Sequence, residues 1–169
     1  MRRTKTTLLS LASVLLVTAL TASAASAADG LDALMPHYET IRVQLVQDST
    51  DGIAESGKTL REALETLRAD LSAETAGVPA EKLAEVEGLL PEAIEAAKKL
   101  EKAEGIEAIR GAFYELTKPL VRWRQAAGGG PVVAYCPMKK QSWLQPEGDS
   151  IGNPYFGQMM AGCGEIVDG

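Results

Sequence analysis

Apolar positions fall into three regimes along this chain. From Leu8 to Leu20 they are nearly continuous. From about residue 31 to 127 they recur at three- and four-residue intervals among Ala, Glu and Lys. Beyond about residue 127 the period is lost among Gly, Pro and aromatic residues. The middle regime predicts amphipathic helices.

A first helix is expected from Pro36 to about Gln47, with Pro36 at the first position, where its missing N–H is not needed. Tyr38, Ile41 and Leu45 share its inner face, and Arg42 and Gln44 turn away. Asp48 to Gly52 reads as a break, with Ser49 or Thr50 available to cap a second helix over about Thr50–Ser72. Ile53, Leu60, Leu64, Leu67 and Leu71 form its stripe, and Gly77-Val78-Pro79 ends it. A third segment runs from Pro79 to about Ala103, with Leu83, Val86, Leu90, Ile94, Ala97 and Leu100 in period. Pro91 predicts a kink or short break around Gly88 to Pro91. A fourth helix spans about Glu104–Ala126, with Ile106, Ile109, Phe113, Leu116 and Leu120 inward and a bend at Pro119. Gly128-Gly129-Gly130-Pro131 stops it. The fold class is therefore mainly α: an antiparallel bundle of about four helices over residues 31–127.

A small irregular lobe follows, over about residues 131–169. Val132, Val133 and Tyr135 make a β-prone run that can lie against the bundle. Asn153-Pro154 is a cap followed by a first helical position, so a short helix is expected to about Ala161, with Gly162 or Gly164 as its left-handed stop. Trp143, Tyr155 and Phe156, with Asn153, Pro154 and Gly157 around them, are the expected core of the lobe.

The first regime reads as a secretory leader over residues 1–27. Arg2, Arg3 and Lys5 form its positive end, and Ala25-Ser26-Ala27 fits the cleavage pattern. Its apolar run is about 13 residues, short of the ~20 that a spanning helix needs. Cleavage leaves a single domain of 142 residues, 28–169, with a periplasmic or secreted location. Three of the 17 basic residues lie in the leader, so the mature chain carries 14 against 23 acidic residues, a net charge of −9. Nucleic acid and anionic membranes would repel it. No second apolar run is long enough for membrane insertion after cleavage.

Enzymatic chemistry finds no foothold. One histidine supplies no triad or Cys–His pair, the acids form no dyad, and no phosphate loop or CxxC occurs. The expectation is a protein with no catalytic residues.

The lobe holds both cysteines of the chain and three of its five methionines. Cys136 and Met138 are two apart, on one side of an extended backbone. Met160 and Cys163 are three apart, one helical turn. If the two ends meet, two thiolates and two thioethers converge, a donor set that prefers Cu(I) or Ag(I) to oxygen-seeking ions. Met159 points about 100° from Met160 on a helix and is expected to pack, serving as an additional ligand only if the short helix is irregular. Met35 and His37 add donors only if the first helix abuts the lobe; a lone His near a helix start is more often a surface or capping residue. The other reading is structural. Two cysteines in an exported chain commonly pair. A Cys136–Cys163 bridge would close a loop of about 28 residues and stabilise by roughly 3–4 kcal/mol. A pair that opens and closes would satisfy both readings, binding metal when reduced.

The ordered string Cys136-Pro137-Met138, Trp143-Leu144, Ile151, Asn153-Pro154-Tyr155-Phe156-Gly157, Met160 and Cys163-Gly164 adds a further indication. It resembles a family of exported bacterial domains of unknown function that occur alone or fused to membrane-fusion adaptors of copper and silver efflux systems. Tyr38, Ile41, Leu45, Asp48, Ile109, Arg110, Phe113 and Leu116 carry a weaker likeness in the helices. Many relatives have a histidine before the first cysteine, where this chain has Tyr135, and small residues where it has Lys139-Lys140. The resemblance implies copper or silver handling alongside envelope metal-efflux components, acting in trans because this chain has no adaptor domain.

Overall fold

The helical stripes become the contact faces of a bundle in the computed structural model, which describes residues 30–168. The expected leader lies outside the described residues. Four long helices, α1 (Leu31–Val46), α2 (Ile53–Ala69), α4 (Leu83–Lys102) and α5 (Ile106–Ala127), carry the body; a one-turn helix, α3 (Ala73–Ala76), links α2 to α4. α1 packs on α2, α2 on α4 and α4 on α5, with α5 returning to α1. Tyr38, Ile41, Leu45, Leu60, Leu64, Val86, Leu90, Leu100, Phe113, Leu116 and Leu120 are sealed from solvent at their centre. Each such side chain contributes roughly 1.5–3 kcal/mol by leaving water.

Several boundaries differ from the sequence expectation. α1 begins at Leu31, so Pro36 and His37 lie inside the helix, not at its start. α2 has no Ser49 or Thr50 cap; Gly52, in a left-handed conformation, precedes it, and Ser49 Oγ accepts from Asp51 N instead. α2 stops at Ala69 because Ser72 starts α3, through a reciprocal capping box with Thr75. No break occurs at Pro91: α4 runs through it. The carbonyl that Pro91 leaves without a helical donor belongs to exposed Glu87, where water can serve it. α5 likewise continues through Pro119 and ends at left-handed Gly128, as the glycine run predicts.

The lobe is more regular than expected. It is a three-stranded antiparallel sheet of β1 (Val132–Cys136), β2 (Gln141–Gln145) and β3 (Glu165–Asp168), in the order β2-β1-β3. β1 is the predicted β-prone run. β2 and β3 have no alternating pattern in sequence, because β2 is covered by α5 at one end only and β3 is an exposed edge. The expected short helix shrinks to a 3-10 turn, Gly157–Met160. Asn153 accepts from Tyr155 N and Phe156 N at 2.8 and 3.3 Å, which makes a turn of the first residues. Gly157 then takes φ +60°, which a continuing helix cannot.

Three arginines and one tyrosine fix this lobe to the bundle. Arg42 donates to Gly152 O at 2.7 Å, Arg110 to Pro154 O at 2.9 Å and Arg124 to Pro131 O at 2.9 Å. Arg42 is therefore turned in, contrary to its expected outward position; it is 5% exposed and neutralised by Glu39. Arg110 also pairs with Asp48, and Arg124 with Asp168. Leu144 N donates to Tyr38 Oη. The Tyr38 hydroxyl then donates to Thr117 Oγ1 at 2.8 Å, because the Thr117 proton is committed to Phe113 O. Among the described residues no buried side-chain nitrogen or oxygen lacks a partner.

Candidate functional site

The strand register brings the two cysteines together. β1 and β3 pair with Tyr135 opposite Glu165, so Cys136, the next residue, comes beside the Cys163-Gly164 segment. Cys136 Sγ and Cys163 Sγ lie 3.2 Å apart, although 27 positions separate them in sequence. Both are free thiols. Cys136 is fully buried and Cys163 half-buried.

Asn153 sets the position of Cys163. Its side chain is fully buried, and Nδ2 donates to Cys163 O at 2.7 Å, while its backbone N–H donates to Ala161 O at 2.7 Å. Cys163 N closes the turn on Met160 O at 3.0 Å. Gly164 has φ +152°, and a Cβ there would come within 2.5 Å of the Trp143 ring. No larger residue fits behind the cysteine. Gly157 is held in the same way: a Cβ would strike the Asp48 carboxylate and the Arg110 guanidinium. Trp143 and Tyr155 pack edge to face at 6.1 Å, and Tyr155 Oη donates to Ser142 O at 2.6 Å. The expected lobe core of Trp143, Asn153, Pro154, Tyr155 and Gly157 is buried; Phe156 is half-buried.

The environment of the pair favours one thiolate. Burial pushes the Cys136 thiol up, but the Lys139 backbone N–H, the Cys163 thiol, the Met138 N–H and the Asn153 amide together outweigh it and leave Cys136 below an ordinary thiol. Cys163 moves the other way, because its thiol proton serves Cys136, with burial and the neighbouring charge adding to the rise. Of the two sulfurs, Cys136 is therefore the more acidic and Cys163 the one that keeps its proton longer.

The remaining predicted donors divide. Met138 lies on the loop after Cys136 and is 64% exposed; Met160 is half-buried at the end of the 3-10 turn. Met159 does not pack, as it was expected to: it is 81% exposed. Met35 packs against the bundle core, and His37 is half-buried on the same helix. The links from α1 and the turn after it to the lobe are made by Tyr38, Arg42, Gln47 and Asp48 instead. The Lys139 ammonium sits 4.9 Å from the centre of the Phe156 ring, a cation–π contact.

Among the described residues no three His, Cys, Asp or Glu side chains gather as a metal-binding group. A metal at the pair would thus rest on two thiolates and thioethers, a soft set. With a metal–thiolate bond of about 2.3 Å, as for zinc, a tetrahedral ion holds two sulfurs about 3.8 Å apart. The sulfurs would have to separate by roughly 0.6 Å to admit it, and to approach by about 1.1 Å to form a disulfide of ~2.05 Å.

Sequence reasoning missed Arg42, Arg110 and Arg124 as residues that place the site. Each directly follows a core position, Ile41, Ile109 and Trp123, so each sits at the edge of an apolar stripe. That placement was the available signal. Among the described residues no helix is long and apolar enough to cross a membrane. No protein-family model, curated protein or solved structure matches this chain.

Proposed function

We propose that this chain is an exported, non-enzymatic binding protein for Cu(I) or Ag(I), which it buffers or passes to envelope metal-efflux components. Cys136 and Cys163 are the anchoring ligands, and Met138 and Met160 are the thioethers nearest them in sequence. The observation that carries the reading is the 3.2 Å meeting of two unbridged cysteine sulfurs, of which Cys136 is the more acidic. Thiolate is the form that binds metal. The resemblance of the lobe's sequence string to domains fused to copper and silver efflux adaptors supports the choice of ion.

The test is an anaerobic Cu(I) titration of the reduced protein in competition with a chromophoric chelator. One equivalent is expected to be withdrawn from the chelator, and Cys136→Ser is expected to abolish that withdrawal. Tight stoichiometric binding by the Cys136→Ser variant would refute the reading.

The same contact favours a second reading, a structural interaction module stapled by a Cys136–Cys163 disulfide and carrying no metal. A thiol count on protein isolated from the cell envelope separates the two. Two free thiols that one equivalent of Cu(I) protects belong to the metal site. No free thiol until the protein is unfolded and reduced belongs to the staple.

A further inference from the structure

The two sulfurs are unequal in reach. Cys136 has no exposed surface, at the end of β1 and inside the core cluster. Cys163 is half-buried in the turn between the 3-10 segment and β3, directly after exposed Gly162. A thiol or disulfide from outside can touch Cys163 without any movement of the sheet, whereas Cys136 is reached only through Cys163. Once Cys163 is occupied, Cys136 Sγ is already 3.2 Å from it.

We propose that this pair exchanges disulfides in a fixed order, entering at Cys163 and resolving at Cys136, and that the bond so formed shuts the site to metal. The co-reactant is a small aliphatic disulfide, R–S–S–R. Cys163 loses its proton to solvent and attacks one sulfur of R–S–S–R; that S–S bond breaks, one RS⁻ leaves, and a Cys163–S–S–R mixed disulfide forms. The Cys136 thiolate then attacks Cys163 Sγ, the mixed bond breaks, the second RS⁻ leaves, and Cys136–Cys163 closes. Two electrons pass from the protein dithiol to the outside disulfide; Cys163 and Cys136 each give up a proton to solvent, and the two RS⁻ each take one up from solvent to become RSH. In the reverse direction an outside thiol attacks Cys163 and expels Cys136. The order stands on access and distance alone; the closing of the site to metal rests on the Cu(I) reading above.

The experiment uses the full reduced chain with oxidised glutathione, quenched in acid at intervals and read by mass spectrometry. Cys136→Ser is expected to accumulate a mixed disulfide on Cys163. Cys163→Ser is expected to react at least about tenfold more slowly, since exchange follows access to the attacking sulfur. After unfolding in denaturant the two variants should react alike, which assigns the difference to the fold. Wild-type protein gives the same information without substitution: limited alkylation of the reduced chain should label Cys163 before Cys136. Equal rates for the two folded variants, or first labelling at Cys136, would overturn the order. Loss of Cu(I) uptake by the oxidised wild type is expected, and full uptake by it would overturn the closing of the site. If the reduced protein takes up no Cu(I) while the order holds, the metal reading fails and the exchange order stands.

Discussion

Asn153→Ala tests whether one buried amide sets the geometry of the sulfur pair. Three hydrogen bonds disappear: Nδ2 to Cys163 O at 2.7 Å, and Tyr155 N and Phe156 N to Oδ1 at 2.8 and 3.3 Å. The first two are short, and Tyr155 N is buried, so its proton is left without a partner. Each good bond is worth about 1 kcal/mol net, and a stranded buried N–H costs about 1–3 kcal/mol, so the expected loss is roughly 2–4 kcal/mol. For a domain of this size that lowers the melting temperature by roughly 10 °C. The assay is thermal and denaturant unfolding under reducing conditions, so that no disulfide contributes. Asn153→Asp separates two parts of the effect. A carboxylate keeps both acceptor bonds but offers no donor to Cys163 O and sets a negative charge beside Cys136. With that charge fully buried and facing Cys163 O, it should regain no stability at neutral pH and should slow the closing of the thiol pair. A loss for Asn153→Ala within about 0.5 kcal/mol, the range of ordinary surface substitutions, would refute the reasoning.

Two further outcomes follow from the contacts between bundle and lobe. Tyr38→Phe keeps the ring but strands the buried N–H of Leu144, while Thr117 retains its bond to Phe113 O. A loss of about 1–3 kcal/mol is expected, with faster hydrogen exchange at the Leu144 amide as the local check. The Arg110 guanidinium, then the Gln158 N–H, hold the Asp48 carboxyl below the usual carboxylate range. The unfolded chain therefore binds this proton more readily, and the resulting stability is complete above the ordinary carboxylate pKa of about 3.9. It drains as pH falls through the lower folded value, so Asp48→Asn should flatten the acid limb of a stability–pH curve; an unchanged limb would remove Asp48 from the clamp.

The body of the fold was legible because helical periodicity is a local property. Leu60 and Leu64, or Phe113 and Leu116, declare a face whatever lies opposite. Element ends were less legible, because Pro36 and Pro91 punctuate a chain only when the carbonyl they orphan has nowhere to turn. In α4 that carbonyl belongs to exposed Glu87, and the helix continues. β2 and β3 were hidden for a different reason. Their pairing depends on β1, and the burial of β2 on α5, neither of which leaves a period in Gln141–Gln145 or Glu165–Asp168. Within the site, Cys136 and Cys163 stood out as sulfur donors in sequence, but their contact at 3.2 Å depends on strand register. The inward Arg42 could not be told from a solvated helix residue, because its partner is a backbone carbonyl 110 positions away.

Packing explains most of the order of residues in the lobe's motif and so isolates what packing does not need. Trp143 fills the space above Gly164; Asn153 ties Cys163 and turns the chain at Tyr155; Gly157 makes room for Asp48 and Arg110. Arg42, Arg110 and Arg124 hold the carbonyls of Gly152, Pro154 and Pro131, the segments that lead into the 3-10 turn and into β1. The bundle thus fixes both approaches to the cysteines, and the spacing of the sulfurs is a property of the whole domain. Met138 is different. At 64% exposure, two residues after Cys136, it adds little to the core. Exchange of Met138 for Leu would preserve shape and hydrophobicity while removing the donor, so any change it makes in Cu(I) uptake belongs to the sulfur atom.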